Sequence, residues 1–112
     1  MNTAKGAPYM DNSYVSISHT CNILVMAFSC SPIGIDIEKA NRRIKIGMTI
    51  EEWTKYEAYS KLIGEGLSKR LLLNKLPDIS YETKYIMDKQ FVMTVCQNVY
   101  QKIITKVIEI NN

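Results

Sequence analysis

Histidine is nearly absent from this chain: His19 is the only one in 112 residues, which excludes a metal centre built on several imidazoles. Cysteine is scarce as well. Cys21, Cys30 and Cys96 are odd in number and no two are spaced as CxxC, so neither a disulfide framework nor a zinc ribbon is expected, and structural thiols in a reducing compartment are. Any metal held here must therefore be held by oxygen, which selects magnesium or manganese over zinc. No apolar run approaches the roughly 18 residues of a membrane span. The N-terminus also lacks the positive-then-apolar order of a signal peptide. A cytoplasmic protein with no membrane partner is the expectation. Charge of one sign is equally lacking: the formal net charge is +3, and the basic clusters "RRIK" and "SKR" are short enough to read as solvated faces rather than a nucleic-acid surface. What remains, 46% hydrophobic and 22% charged residues, is the composition of one globular domain with a single core.

Residues 1–13, "MNTAKGAPYMDNS", mix Gly, Pro, Asn and Asp without periodicity and read as a lead-in segment. Residues 14–112 read as a single α+β domain. "YVSIS" alternates as a strand does, and "NILVMAFS" is a short branched apolar run that pairs back on it in a hairpin. "CSP" turns the chain into "IGIDIE", a third strand. After the irregular "ANRRIKIGM", "TIEEWTKYEAYSKLIGEGL" is a helix: Thr49 and Glu52 have the spacing of a capping box, and Gly64 or Gly66 supplies the stop. "SKRLLLNKLPDI" contains either a strand at 70–74 or a continuation of the helix. "YETKYIM" and "QFVMTVCQN" form a hairpin around "DK", and "KIITKVIEI" adds an edge strand. The expected architecture is an antiparallel sheet of about five strands packed on one principal helix.

The alternation in "PIGIDIEK" has a chemical consequence. Side chains on a strand alternate between faces, so Ile33, Ile35 and Ile37 share one face while Gly34, Asp36 and Glu38 share the other. On the helix, Trp53, Glu57 and Lys61 follow at four-residue spacing and lie along one side. Two carboxylates from the strand and a third from the helix make an oxygen-rich set suited to a hard divalent cation. A strand with a polar, solvated outer face is the alternative that spacing alone leaves open.

"GIDIEK" followed by "WTKYEAYSKLIGEGL" resembles the two signature motifs of the 4′-phosphopantetheinyl transferases, approximately G-[IV]-D-[IV]-E, then W-[ST]-x-K-E-[AS]-x-x-K and G-x-G-L. "SISHT" and "VMAFSCSPIGIDIEK" are similar to the segment leading into these motifs in the surfactin-synthetase-activating type, and "KGAPYM" to its earlier G-K-P-[YF] element. In order, the matches cover roughly residues 5 to 98, the C-terminal half of that type. The resemblance implies a half-domain of that fold and a magnesium-dependent enzyme, with manganese as a substitute. Its chemistry would move the 4′-phosphopantetheine arm of coenzyme A onto a serine of an acyl- or peptidyl-carrier protein, in fatty acid, polyketide or nonribosomal peptide biosynthesis. By the same resemblance Asp36, Glu38 and Glu57 are metal ligands, and Glu57 is also the general base. Lys61 contacts phosphate or assists the leaving group, and Ser18 with His19 contacts coenzyme A. Trp53 is expected in the core.

The chain departs from the family pattern in three places. Tyr56 stands where the motif has lysine, and Lys55, one place earlier, is turned away by about 100° on a helix. Thirteen residues, Ala40 to Glu52, replace a longer interval, although they can span roughly 40 Å. The first half of the family's two-part architecture has no counterpart, so a second copy or another subunit is expected to complete the coenzyme A cleft. Two functions follow: a compact transferase working as an oligomer, or a reduced, catalytically weak or inactive relative acting as a binding or assembly subunit.

Overall fold

The structure, a computed structural model, describes residues 13–44, 47–100 and 103–110. The "KGAPYM" element and nearly all of the lead-in lie outside the described residues. The elements run β1 (Tyr14–Thr20), β2 (Ile23–Ser29), β3 (Ile33–Lys39), α1 (Ile50–Leu62), α2 (Lys69–Leu73), β4 (Ser80–Ile86), β5 (Phe91–Gln97) and β6 (Ile104–Glu109). All strand pairs are antiparallel, β1 with β2, β2 with β6, β3 with β5 and β4 with β5. The α+β class expected from the sequence is present. The single sheet of about five strands is not: the described residues form two three-stranded sheets, ordered β1-β2-β6 and β3-β5-β4.

The break between the sheets has a visible cause. β1 lies along β3, but the backbone N–H groups of Ile35 and Ile37 donate to the side-chain oxygens of Ser16 and Ser18, at 3.1 and 3.2 Å, instead of to carbonyls of β1. Two serine hydroxyls thus replace a ladder and satisfy an otherwise orphaned sheet edge. Ser16 and Ser18 are accordingly buried polar residues. Between the sheets lies the main core. Ile23, Val25 and Ala27 of β2 pack against Ile33, Ile35 and Ile37 of β3 and against Phe91, Met93 and Val95 of β5.

The opposite face of β3 is covered by α1. Its N-terminus is the expected capping box, with Thr49 accepting from the Glu52 N–H and Glu52 returning a bond to the Thr49 N–H. Beyond its last turn, Gly64 adopts a left-handed φ of 74°, the stop that glycine supplies. Thr54, Ala58 and Leu62, four residues apart, are the buried side. Thr54 shares a hydroxyl contact of 2.9 Å with Thr94 of β5, and Ala58 and Leu62 meet Cys96. Small residues on both partners allow a very close approach: a Cβ on residue 34 would fall 2.0 Å from the Ala58 carbonyl oxygen. Glycine at 34 is thus a packing requirement.

Two local expectations change. Residues 69–73 form one helical turn rather than a strand, begun by the Ser68 hydroxyl accepting from the Leu71 N–H. Between β4 and β5, Met87, Asp88 and Lys89 all take left-handed φ values, from 56° to 65°, so the connection is longer than a "DK" two-residue turn. Of the three cysteines, none of which is in a disulfide, Cys96 is buried while Cys21 and Cys30 are exposed. No described helix is long and apolar enough to cross a membrane.

Gly34→Ala should therefore cost more than about 3 kcal/mol of stability in urea unfolding, because backbone rather than a flexible side chain must move. Gly66→Ala, whose added methyl meets nothing within 4 Å, is the control and should change stability by less than about 0.5 kcal/mol.

Candidate metal centre

Three carboxylates meet at the junction of β3 and α1. The β3–β5 register sets Asp36 beside Thr94 and Glu38 beside Val92, so both acids face the helix. Glu57, one residue before the Ala58 contact, closes the group from above. One carboxylate oxygen from each of Asp36, Glu38 and Glu57 lies within 4.8 Å of the others. Oxygens opposite each other across a magnesium ion lie about 4.2 Å apart. The spacing is a small inward swing from a shared cation.

Asp36 and Glu38 are only 3% and 8% exposed, which is costly for carboxylates. The compensation is partial. Asp36 Oδ1 accepts from the Ser18 hydroxyl at 3.2 Å and lies 3.6 Å from Lys61 Nζ. Asp36 Oδ2 is buried and meets no hydrogen-bond donor among the described residues; the other hydrogen-bonding neighbour of this carboxyl is Glu38, itself an acid. Lys61 is itself tethered, donating to the Ile17 carbonyl at 3.3 Å. Glu38 Oε1 accepts from Arg42 Nη1 at 2.7 Å, and the Arg42 guanidinium stands 5.4 Å from the centroid of the Trp53 ring.

These surroundings shift the acids. Burial first, and then the neighbouring Glu38, push Asp36 up from its ordinary 3.8 to about 8, with Lys61 opposing. Burial also raises Glu57, helped by Glu38 and opposed by Lys61 and Arg42. An acid cluster of this kind retains a proton near neutrality until something more positive replaces it. Three hard oxygen donors, with a buried Asp36 oxygen that no donor among the described residues reaches, fit magnesium or manganese. The Glu57 and Lys61 side of the cluster borders a cavity of about 240 Å³ that continues past Ser60 to Gly64, Glu65 and Leu67.

The residues singled out in the sequence divide into two groups. Asp36, Glu38, Glu57 and Lys61 come together. Ser18 also arrives, although its hydroxyl is already engaged, accepting from the Ile37 N–H and donating to Asp36. His19, the next residue on β1, is exposed and makes none of the described contacts to the carboxylates. Trp53 is half-buried beside the site rather than in the core. Tyr56 donates its hydroxyl to the Asn74 carbonyl at 2.8 Å, tying α1 to the chain after α2. Sequence reasoning missed Arg42, assigned there to a solvated basic cluster. Its four-residue spacing from Glu38 was visible, but that spacing has directional meaning only within a helix, and Arg42 is not in one.

Comparison of the chain with protein-family models, with curated proteins and with solved structures gave no match.

The Asp36 shift has a definite sign. The folded state holds a proton that the unfolded state has lost above pH 3.8, so this group's contribution to stability is fully present below that value and declines as pH rises towards 8. Without divalent cations, the melting temperature should fall across that window, and Asp36→Asn should flatten the fall. An unchanged pH profile in that variant would count against the assignment.

Proposed function

We propose that this protein is a divalent-cation-dependent 4′-phosphopantetheinyl transferase. The observation that carries the reading is the convergence of Asp36, Glu38 and Glu57, with a buried Asp36 oxygen that no donor among the described residues reaches, at the positions that the resemblance marks as metal ligands. Coenzyme A is the donor, an acyl- or peptidyl-carrier protein the acceptor, and a second copy or another subunit completes the cleft.

In this reading the carrier serine oxygen forms a bond to the phosphorus bearing the pantetheine arm. The phosphoanhydride bond of coenzyme A breaks, and 3′,5′-adenosine diphosphate leaves with the electron pair. Magnesium or manganese, held by Asp36, Glu38 and Glu57, would supply charge neutralisation at the pyrophosphate. Glu57 would take the serine proton, directly or through water, the role that the resemblance gives it. Lys61, anchored by the Ile17 carbonyl, offsets negative charge as the leaving group develops. Ser18 holds Asp36 in orientation, as the partners of metal-binding carboxylates do.

One observation favours a second reading. The position at which the family pattern has lysine is occupied by Tyr56, and its hydroxyl is engaged with Asn74. A subunit that binds the cation and a phosphate-bearing ligand without turning it over would use the same carboxylates and lack this phosphate contact.

Incubation with magnesium, coenzyme A and a panel of apo carrier proteins separates the two readings. Intact-mass spectrometry should show the phosphopantetheine increment on at least one carrier. Asp36→Ala and Glu57→Ala should lower the rate by at least about 100-fold while circular dichroism shows the fold retained. No transfer at high protein concentration, together with no coenzyme A binding by calorimetry, would rule out the transferase.

A further inference from the structure

We propose that Arg42 is the exchangeable counter-cation of this site: it neutralises Glu38 in the cation-free protein and passes to the phosphate oxygens of the ligand once a divalent cation takes that carboxylate. The inference rests on the metal reading above and extends it to a residue outside the motifs.

Arg42 lies in the connection from β3 to α1, outside every helix and strand. Its side chain is 48% exposed while that of Glu38 is 11% exposed, so the guanidinium stands at the mouth of the carboxylate group and not within it. Nη1 donates to Glu38 Oε1 at 2.7 Å. Against the other side stands the ring of Trp53, 5.4 Å away, a cation–π arrangement that keeps the guanidinium near the site even when the carboxylate lets go. Arginine carries five N–H donors in a planar fork suited to phosphate as well as to carboxylate. The two cations of the site therefore differ in kind. Lys61, 3.6 Å from Asp36, has a backbone carbonyl as a second anchor, whereas the described side-chain hydrogen bond of Arg42 is to a carboxylate that a metal ion would claim.

A divalent cation on Glu38 places two positive groups on one carboxylate. Repulsion then favours turning the guanidinium outwards, towards solvent, where an anionic ligand coordinated to the same cation would present its oxygens. Removing Arg42 should thus have opposite effects on the two ligands. A residue that merely props the fold would weaken both.

The test uses the full chain with Mn²⁺ alone and then with inorganic pyrophosphate added to the Mn²⁺-loaded protein, both measured by calorimetry. Arg42→Gln should bind Mn²⁺ about tenfold more tightly, having lost a neighbouring positive charge, and pyrophosphate about tenfold more weakly, having lost a charge-assisted donor. Arg42→Lys keeps the charge but not the fork, so its Mn²⁺ affinity should stay near wild type while pyrophosphate binding falls. Trp53, the one tryptophan in the chain, gives an independent readout: Mg²⁺ should change its emission in wild type and not in Arg42→Gln. Equal affinities in wild type and Arg42→Gln, or a loss of both ligands together, overturns the role of Arg42 alone. Failure of the wild type to bind Mn²⁺ overturns the metal reading beneath it.

Discussion

The closest approach that defines this molecule is between backbones: the Ala58 carbonyl of α1 occupies space that a side chain at position 34 would need. Everything at the site follows from that contact. With glycine at 34, α1 settles directly on β3, and Glu57 and Lys61, which flank Ala58 on the helix, come down beside Asp36 and Glu38. A methyl group at 34 would lift the helix and separate the carboxylates. The small residues Thr54 and Ala58 make the same allowance from the helix side, and the Thr54–Thr94 hydroxyl contact fixes the helix against β5.

The second constraint is the serine seam between the sheets. A continuous ladder between β1 and β3 would leave no side chain between their backbones. Because Ser16 and Ser18 accept the β3 N–H groups instead, a hydroxyl proton from Ser18 is left to donate to Asp36. The seam that joins the two sheets thereby also orients the most buried acid of the cluster. Opposing these favourable terms is the burial of like charge. Two cations, Lys61 and Arg42, and a proton on Asp36 offset it, and one Asp36 oxygen still meets no donor among the described residues. Buried, incompletely satisfied carboxylates are destabilising unless a ligand offsets them, which is the physical ground for proposing a cation here.

How much of this the sequence disclosed depends on range. The alternation of "IGIDIE" set the faces of β3, since period two leaves no other arrangement, and the Thr49–Glu52 capping box placed the start of α1, because its bonds are local. The four-residue spacing of Glu57 and Lys61 put them on one side of the helix. Long-range pairing was less legible. "SISHT" reads as an ordinary strand, and nothing in its pattern announces that its serines would replace a ladder and divide one sheet into two. "KRLLL" carried no period long enough to separate a strand from one helical turn. Trp53 looked like core because large aromatic residues usually are. Its position beside Arg42 depends on the path of the 40–49 connection, which periodicity does not describe.

On the proposed reading, the β3–α1 junction holds one divalent cation. Mn²⁺ binding followed by electron paramagnetic resonance at about pH 8, where Asp36 is giving up its proton, tests it most directly. One bound ion per chain is expected in the wild type, with binding lost in Asp36→Asn while the fold persists. An absence of binding in the wild type, or undiminished binding in Asp36→Asn, would contradict it.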